Sequence, residues 1–174
     1  MKTKEFLKQH SACTRGAKWA LAIGDDMADV WDALIEQEKL GWLLWTATRP
    51  GVFPESVLRK LACRFVRETP LADGRKVWDL LTDERSRIAV EVAEAYADGK
   101  ATDGELQAAE AAAYAAARAT AYAAARAACA TAYAAAEAAA DDAAYDAAYV
   151  AAKAAQVQMI AELGNPFKEE RAGR

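Results

Sequence analysis

Met27, Val30, Trp31, Leu34 and Ile35 recur at i, i+3, i+4, i+7 and i+8, the spacing that lays one apolar stripe along a helix. The rest of the first hundred residues has the same character, with short helical patterns separated by turn residues. Lys4–His10 reads as a small amphipathic helix behind Thr3. Thr14 is placed to cap a second helix running to Ile23, where Gly24 stops it. Asp25 or Asp26 then restarts the chain into the Met27 stripe. Leu40-Gly41-Trp42-Leu43-Leu44-Trp45 is apolar all round and is expected to be the most buried piece. After the Arg49-Pro50-Gly51 break, Pro54 suits a helix start, with Val57, Leu58, Leu61, Cys63 and Phe65 facing inward. Thr69-Pro70 and Asp73-Gly74 mark turns. A short helix through Val77, Trp78, Leu80 and Leu81 follows. Thr82 then caps one that buries Ile88, Val92, Ala95 and Tyr96 and closes at Gly99. No stretch alternates at period two long enough to build a sheet, so the expected fold class is all-α.

The pattern changes at residue 101. Thr102-Asp103-Gly104-Glu105 has the form of a capping box, in which Thr and Glu side chains satisfy each other's backbone donors. Of residues 101–163, 33 are alanine, and after Gly104 neither Gly nor Pro interrupts them before Gly164. One helix over this length would reach about 90 Å. Either it projects as one very long helix or it breaks once, near Thr131 or Asp141-Asp142. The expected organisation is a compact Trp-rich helical domain at 1–100, an Ala-rich long helical segment at 101–163, and a C-terminal tail at 164–174.

The non-alanine residues of the tract form a row. Tyr114, Arg118, Tyr122 and Arg126 follow one another at i+4, and after a phase shift Tyr133, Glu137, Asp141, Tyr145, Tyr149, Lys153 and Val157 continue it. Four residues turn a helix by about 400°, so the row drifts roughly 40° per step and winds around the axis. Such a ridge packs into the groove of a neighbouring helix, unlike a straight coiled-coil seam, which requires a 3.5-residue period. Tyr114, Arg118, Tyr122, Arg126, Tyr133, Asp141, Asp142 and Tyr145 are the candidate contact surface. The bland alternative is that these Tyr and Arg side chains simply cover an alanine surface.

Composition narrows the function classes. The chain has net charge −4, with residues 1–100 neutral and the whole acidic excess in 101–174, so it carries no basic surplus for nucleic acid. No run of about 18 apolar residues forms a membrane span. The start Met1-Lys2-Thr3-Lys4-Glu5-Phe6 lacks the apolar stretch of a signal peptide. Cys13, Cys63 and Cys129 are odd in number and far apart, which fits reduced thiols in a cytoplasmic protein rather than a disulfide framework.

Candidate chemistry is sparse. His10, the single histidine, lies three residues before Cys13 with no third orienting group evident. No spacing offers the four His or Cys ligands of a zinc site, and no phosphate-binding Gly-rich loop is present. Neither a metal nor a cofactor is expected. The carboxylates Glu68, Asp73, Asp79, Asp83 and Glu84 stand near Arg64, Arg67, Arg75, Arg85 and Arg87. That mixture reads either as a salt-bridged network locking turns or as an acid pair for hydrolysis. Unpaired acids in a concave pocket would favour the second. Thr120 and Thr131 are eleven residues apart, as in ice-binding helices, but the repeat then lapses.

Two runs carry a resemblance. Ala62-Cys63-Arg64-Phe65-Val66-Arg67 leads into Val77-Trp78-Asp79-Leu80-Leu81-Thr82-Asp83-Glu84-Arg85-Ser86-Arg87. Then come Ala89–Glu94, the Ala/Tyr tract, and Leu163-Gly164-Asn165-Pro166-Phe167. Over about residues 58–167 this order resembles an uncharacterised family of Ala-rich helical bacterial and phage proteins, some of them described as immunity proteins. The resemblance implies a neutraliser that works by contact, and it implies no active site. Phe6-Leu7, Ala12-Cys13, Gly16 and Trp19 look like a module of other phage and mobile-element proteins. The expected function is therefore non-catalytic binding, of the immunity or phage counter-defence type, with a protein or protein complex as partner in the cytoplasm of a bacterium or phage-infected cell. Self-association along the alanine faces and an enzyme using the 68–87 acid/Arg cluster are the alternatives.

Overall fold

The structure is a computed structural model that describes residues 1–71, 74–114 and 142–168. Among the described residues it is helical, with no strand and only two isolated β-bridges, Lys2 with Asp26 and Pro70 with Lys76. The helices are α1 (Thr3–Gln9), α2 (Thr14–Ile23), α3 (Met27–Glu36), α4 (Leu40–Ala47), α5 (Glu55–Glu68) and α6 (Glu84–Ala97). A single 3-10 turn, Val77–Leu80, precedes α6. Helix α7 covers residues 103–114 and α8 is Asp142–Ala161. Of the expected Ala-rich long helical segment at 101–163, residues 115–141 lie outside the described residues; residues 103–114 and 142–161 are helical. By mutual contacts the chain divides into two compact units, Met1–Pro54 with the described residues from Lys153 on, and Glu55–Ala152.

In the first unit α3 is the centre. Met27, Val30, Trp31 and Leu34 are at most 2% exposed, as the stripe requires. Burying each such side chain contributes about 1.5–3 kcal/mol. Asp26 caps the helix, its carboxylate accepting from the Ala28 N–H at 3.0 Å. Around α3 pack α1, α2 and α4, with Phe6, Leu43, Val157, Met159 and Ile160 also buried. The segment after α8 belongs to the same core. Asn165 Nδ2 donates to the Ala28 carbonyl at 2.9 Å and to Asp32 Oδ1 at 2.8 Å. Phe167, 4% exposed, lies edge-on to Phe6 and to Trp31 at centroid distances of 5.5 and 6.0 Å. Residues 164–168 are thus docked through Asn165 and Phe167.

Helix α1 begins one residue earlier than expected, at a fully buried Thr3 with Lys2 at the cap position. Two further expectations in this unit are corrected. Cys13, not Thr14, caps α2, its sulfur accepting from the Gly16 N–H at 3.4 Å. Helix α4 is not the most buried piece. Only Leu43, Thr46 and Ala47 are buried there, because its Trp42 and Trp45 face a pocket described below.

In the second unit α5 packs on α6 and on the Val77–Leu80 turn. Leu61, Cys63, Thr69, Leu106 and Ala109 are its buried residues among those described. Gly74 (φ +83°) and Gly99 (φ +71°) take the left-handed conformation that turns demand. The capping box at α7 is present: the Thr102 N–H donates to Glu105 Oε2 at 2.8 Å and the Glu105 N–H to Thr102 Oγ1 at 3.3 Å. Two expectations fail here. Asp83, not Thr82, caps α6, its carboxylate accepting from the Arg85 N–H at 2.9 Å. Ile88 is 43% exposed, because α6 has only a shallow inner face and buries no residue completely.

Candidate functional site

Of the expected contact row, Tyr114 ends the described part of α7 and is 67% exposed. Asp142 and Tyr145 lie on the backbone of α8, while Arg118, Tyr122, Arg126, Tyr133 and Asp141 fall outside the described residues. The base of α7 is held in place. The Tyr96 O–H donates to Asp103 Oδ1 at 2.6 Å, which pushes the phenol pKa up because the negative carboxylate opposes ionisation. The Arg59 guanidinium lies 5.1 Å from the Tyr96 ring centroid, bridges Glu55 at 2.7 Å and reaches Glu110 at 3.8 Å. Leu106 and Ala109 are buried three residues apart on one face of α7.

The acid/Arg cluster of the second unit is a network of pairs. Arg67 clasps Glu94 with two bonds, Nε at 2.5 Å and Nη2 at 2.7 Å, a bidentate geometry that fixes both planes. This holds the Arg67 pKa above its usual value. The same guanidinium sits 4.2 Å from the Trp78 ring centroid, and that of Arg87 lies 5.5 Å from it. Arg87 Nε also donates to the Leu81 carbonyl at 2.6 Å. Glu68 accepts from Arg64 at 2.9 Å, Asp83 from Arg85 at 2.7 Å, and Asp98 bridges Lys60 and, at 3.0 Å, Lys100. Asp79 accepts from the Lys76 N–H at 2.8 Å. The carboxyls of Asp83 and Asp98 are held below the ordinary range by their bonds to Arg85 and Lys60. That shift keeps them ionised, the opposite of what a general acid needs. Beside this network Cys63 is 6% exposed, and its thiol donates to the Val90 carbonyl at 3.7 Å. Burial first, then the Glu94 charge, pushes its pKa up, which makes it a poor nucleophile.

The first unit holds a pocket of about 210 Å³ that sequence reasoning missed. Ala12, Gly16 and Ala20 supply one wall, and Trp19, Trp42, Trp45, Met27, Val30 and Leu34 supply much of the rest. Trp19 and Trp42 tilt against each other with centroids 5.3 Å apart. A signal for it was in the chain: Gly16 and Ala20, small residues four apart, share one face of α2, and Ala12 just before the helix is small as well, which leaves room beneath large neighbours. At Gly16 a Cβ would come within 3.3 Å of Cys13 Sγ and 3.7 Å of Trp42 Nε1, so glycine permits this packing.

The remaining candidates do not assemble. His10 packs on Phe6 with centroids 4.5 Å apart, and the exposed Cys13 sulfur is engaged by Gly16. No bond joins the two. Among the described residues, no group of three or more His, Cys, Asp or Glu is placed to hold a metal ion, and no helix is long and apolar enough to cross a membrane. Comparison with family models, with curated proteins and with solved structures returns no match.

Proposed function

We propose that the protein acts by non-catalytic binding, in the manner of an immunity or phage counter-defence protein that occludes a protein target. In this reading the expected long Ala-rich helix, broken at most once, carries the spiral row that begins at Tyr114, and that row is the contact surface. The observation that carries this reading is Tyr114: the first aromatic of the row stands two-thirds exposed on a helix whose base is tied down by a capping box and a tyrosine–aspartate bond. A largely exposed aromatic side chain on a fixed support is the kind of group that anchors interfaces. The engagement of Glu68, Asp79, Asp83, Glu94 and Asp98 in bonds also favours contact over acid chemistry in that region.

The test is affinity capture from the native host with the wild-type chain and with Tyr114→Asp combined with Tyr122→Asp. The double variant is expected to lose its captured partner at least tenfold while keeping its helical content. Capture of the same partner at unchanged yield would remove the row from consideration. Light scattering at two concentrations separates the competing reading, since self-association along the alanine faces requires mass to rise with concentration.

A further inference from the structure

We propose that the pocket of the first unit binds a free, uncharged, flat aromatic molecule of one or two rings. Its volume of about 210 Å³ sets the size. An engineered cavity of about 150 Å³ accepts benzene, whereas sites for drug-sized ligands begin near 300 Å³. A bicyclic ring therefore fits inside it, whereas a nucleotide or a long acyl chain would extend beyond it.

The lining sets the chemistry. Three indole rings, Trp19, Trp42 and Trp45, border the space, and flat rings offer an aromatic guest offset-stacked or edge-on contacts. No charged side chain lines it. The Thr46 hydroxyl is committed to the Trp42 carbonyl at 2.9 Å, and the Cys13 sulfur to the Gly16 N–H. A carboxylate entering there would lose part of its hydration and meet no cationic side chain, only neutral donors such as the indole N–H groups, so it is disfavoured against an uncharged ring. The way in is open, because Cys13 and Gly41 are both exposed and a Cβ at Gly41 would meet nothing within 4 Å. This site is separate from the contact row, so the two readings stand or fall independently.

The experiment is a titration of the full chain with indole, followed through the Met27 methyl ¹H–¹³C signal, since Met27 lines the pocket and is 1% exposed. Saturable binding is expected with Kd on the order of 0.1–1 mM, the range for so small a guest. Benzoate should leave the signal unmoved. Ala20→Leu enlarges a buried lining residue and Gly41→Leu adds a side chain at the exposed edge of the lining, and at least one folded variant of the two should weaken binding tenfold or more. Leu21→Ser lies on the same helix at an exposed residue outside the lining and should bind as wild type. The proposal is overturned if indole causes no saturable shift, if benzoate binds as well as indole, if both filled variants bind normally, or if Leu21→Ser abolishes binding.

Discussion

The two units hold together by different physics. In the first, Phe6, Trp31, Leu43 and Ile160 are wholly excluded from water, and the Asn165–Phe167 segment returns to α3 to complete that exclusion. In the second, α6 buries no residue completely, apolar burial among the described residues is limited to Leu61, Cys63, Leu106 and Ala109, and charged pairs join α5 to α6 and its end: Arg67 to Glu94 and Lys60 to Asp98. Apolar burial scales with area and is indifferent to salt, whereas partly exposed pairs contribute little each and are screened. The contrast predicts where each unit is vulnerable.

The largest effect is expected from Phe167→Ala. Removing a ring that is 4% exposed should cost about 3–5 kcal/mol through lost transfer energy and the cavity left behind. Hydrogen exchange should show the loss in the amides of α3 more than in those of α5. A cost below about 1 kcal/mol would mean that the C-terminal segment is an ornament of the core and not part of it.

Arg67→Met probes the other unit. It deletes a bidentate pair and a ring contact that are about one-third exposed, and the expected loss is about 1–2 kcal/mol. Protection of α5 and α6 amides should fall, and the difference from wild type should shrink in about 1 M salt. An effect as large as that of Phe167→Ala, insensitive to salt, would erase the distinction between the units.

The smallest effect is the response to acid. The folded-state pKa values of Asp83, Asp98 and Glu105 lie below their ordinary ones, so between the two values the unfolded chain binds more protons. The stability these groups supply is fully present above the ordinary carboxylate range and is lost as pH falls through the lowered values. Protection at the start of α6 and of α7 should therefore decline below about pH 4. Constant protection down to about pH 2 would show that these bonds carry no stability.

Much of the helical layout was legible because its causes are local. The α3 stripe, the stop at Gly24, the turn at Gly99 and the Thr102–Glu105 capping box depend on residues within two turns of each other, and all are present. Caps were misplaced by one residue where a neighbour competed. Cys13 displaced Thr14 from one position earlier and Asp83 displaced Thr82 from one position later, since an oxygen or sulfur one residue away can reach the N–H groups of the same first turn. The apolar run of α4 misled for another reason: hydrophobicity says a side chain avoids water, but not whether a neighbour is there to cover it. Trp42 and Trp45 line open space because the small residues Ala12, Gly16 and Ala20 leave room in one wall of it.

The chain alone therefore determined that this protein is helical, where several helices begin and end, and that alanine and the acidic excess gather after residue 100, because propensity, capping and periodicity act over a few residues. Only the tertiary structure decided that Asn165 and Phe167 close the core around Trp31, that Arg67 takes Glu94 as its partner 27 residues away, and that a cavity remains among the tryptophans. Those outcomes depend on which distant surfaces meet, and no local pattern along the chain encodes that.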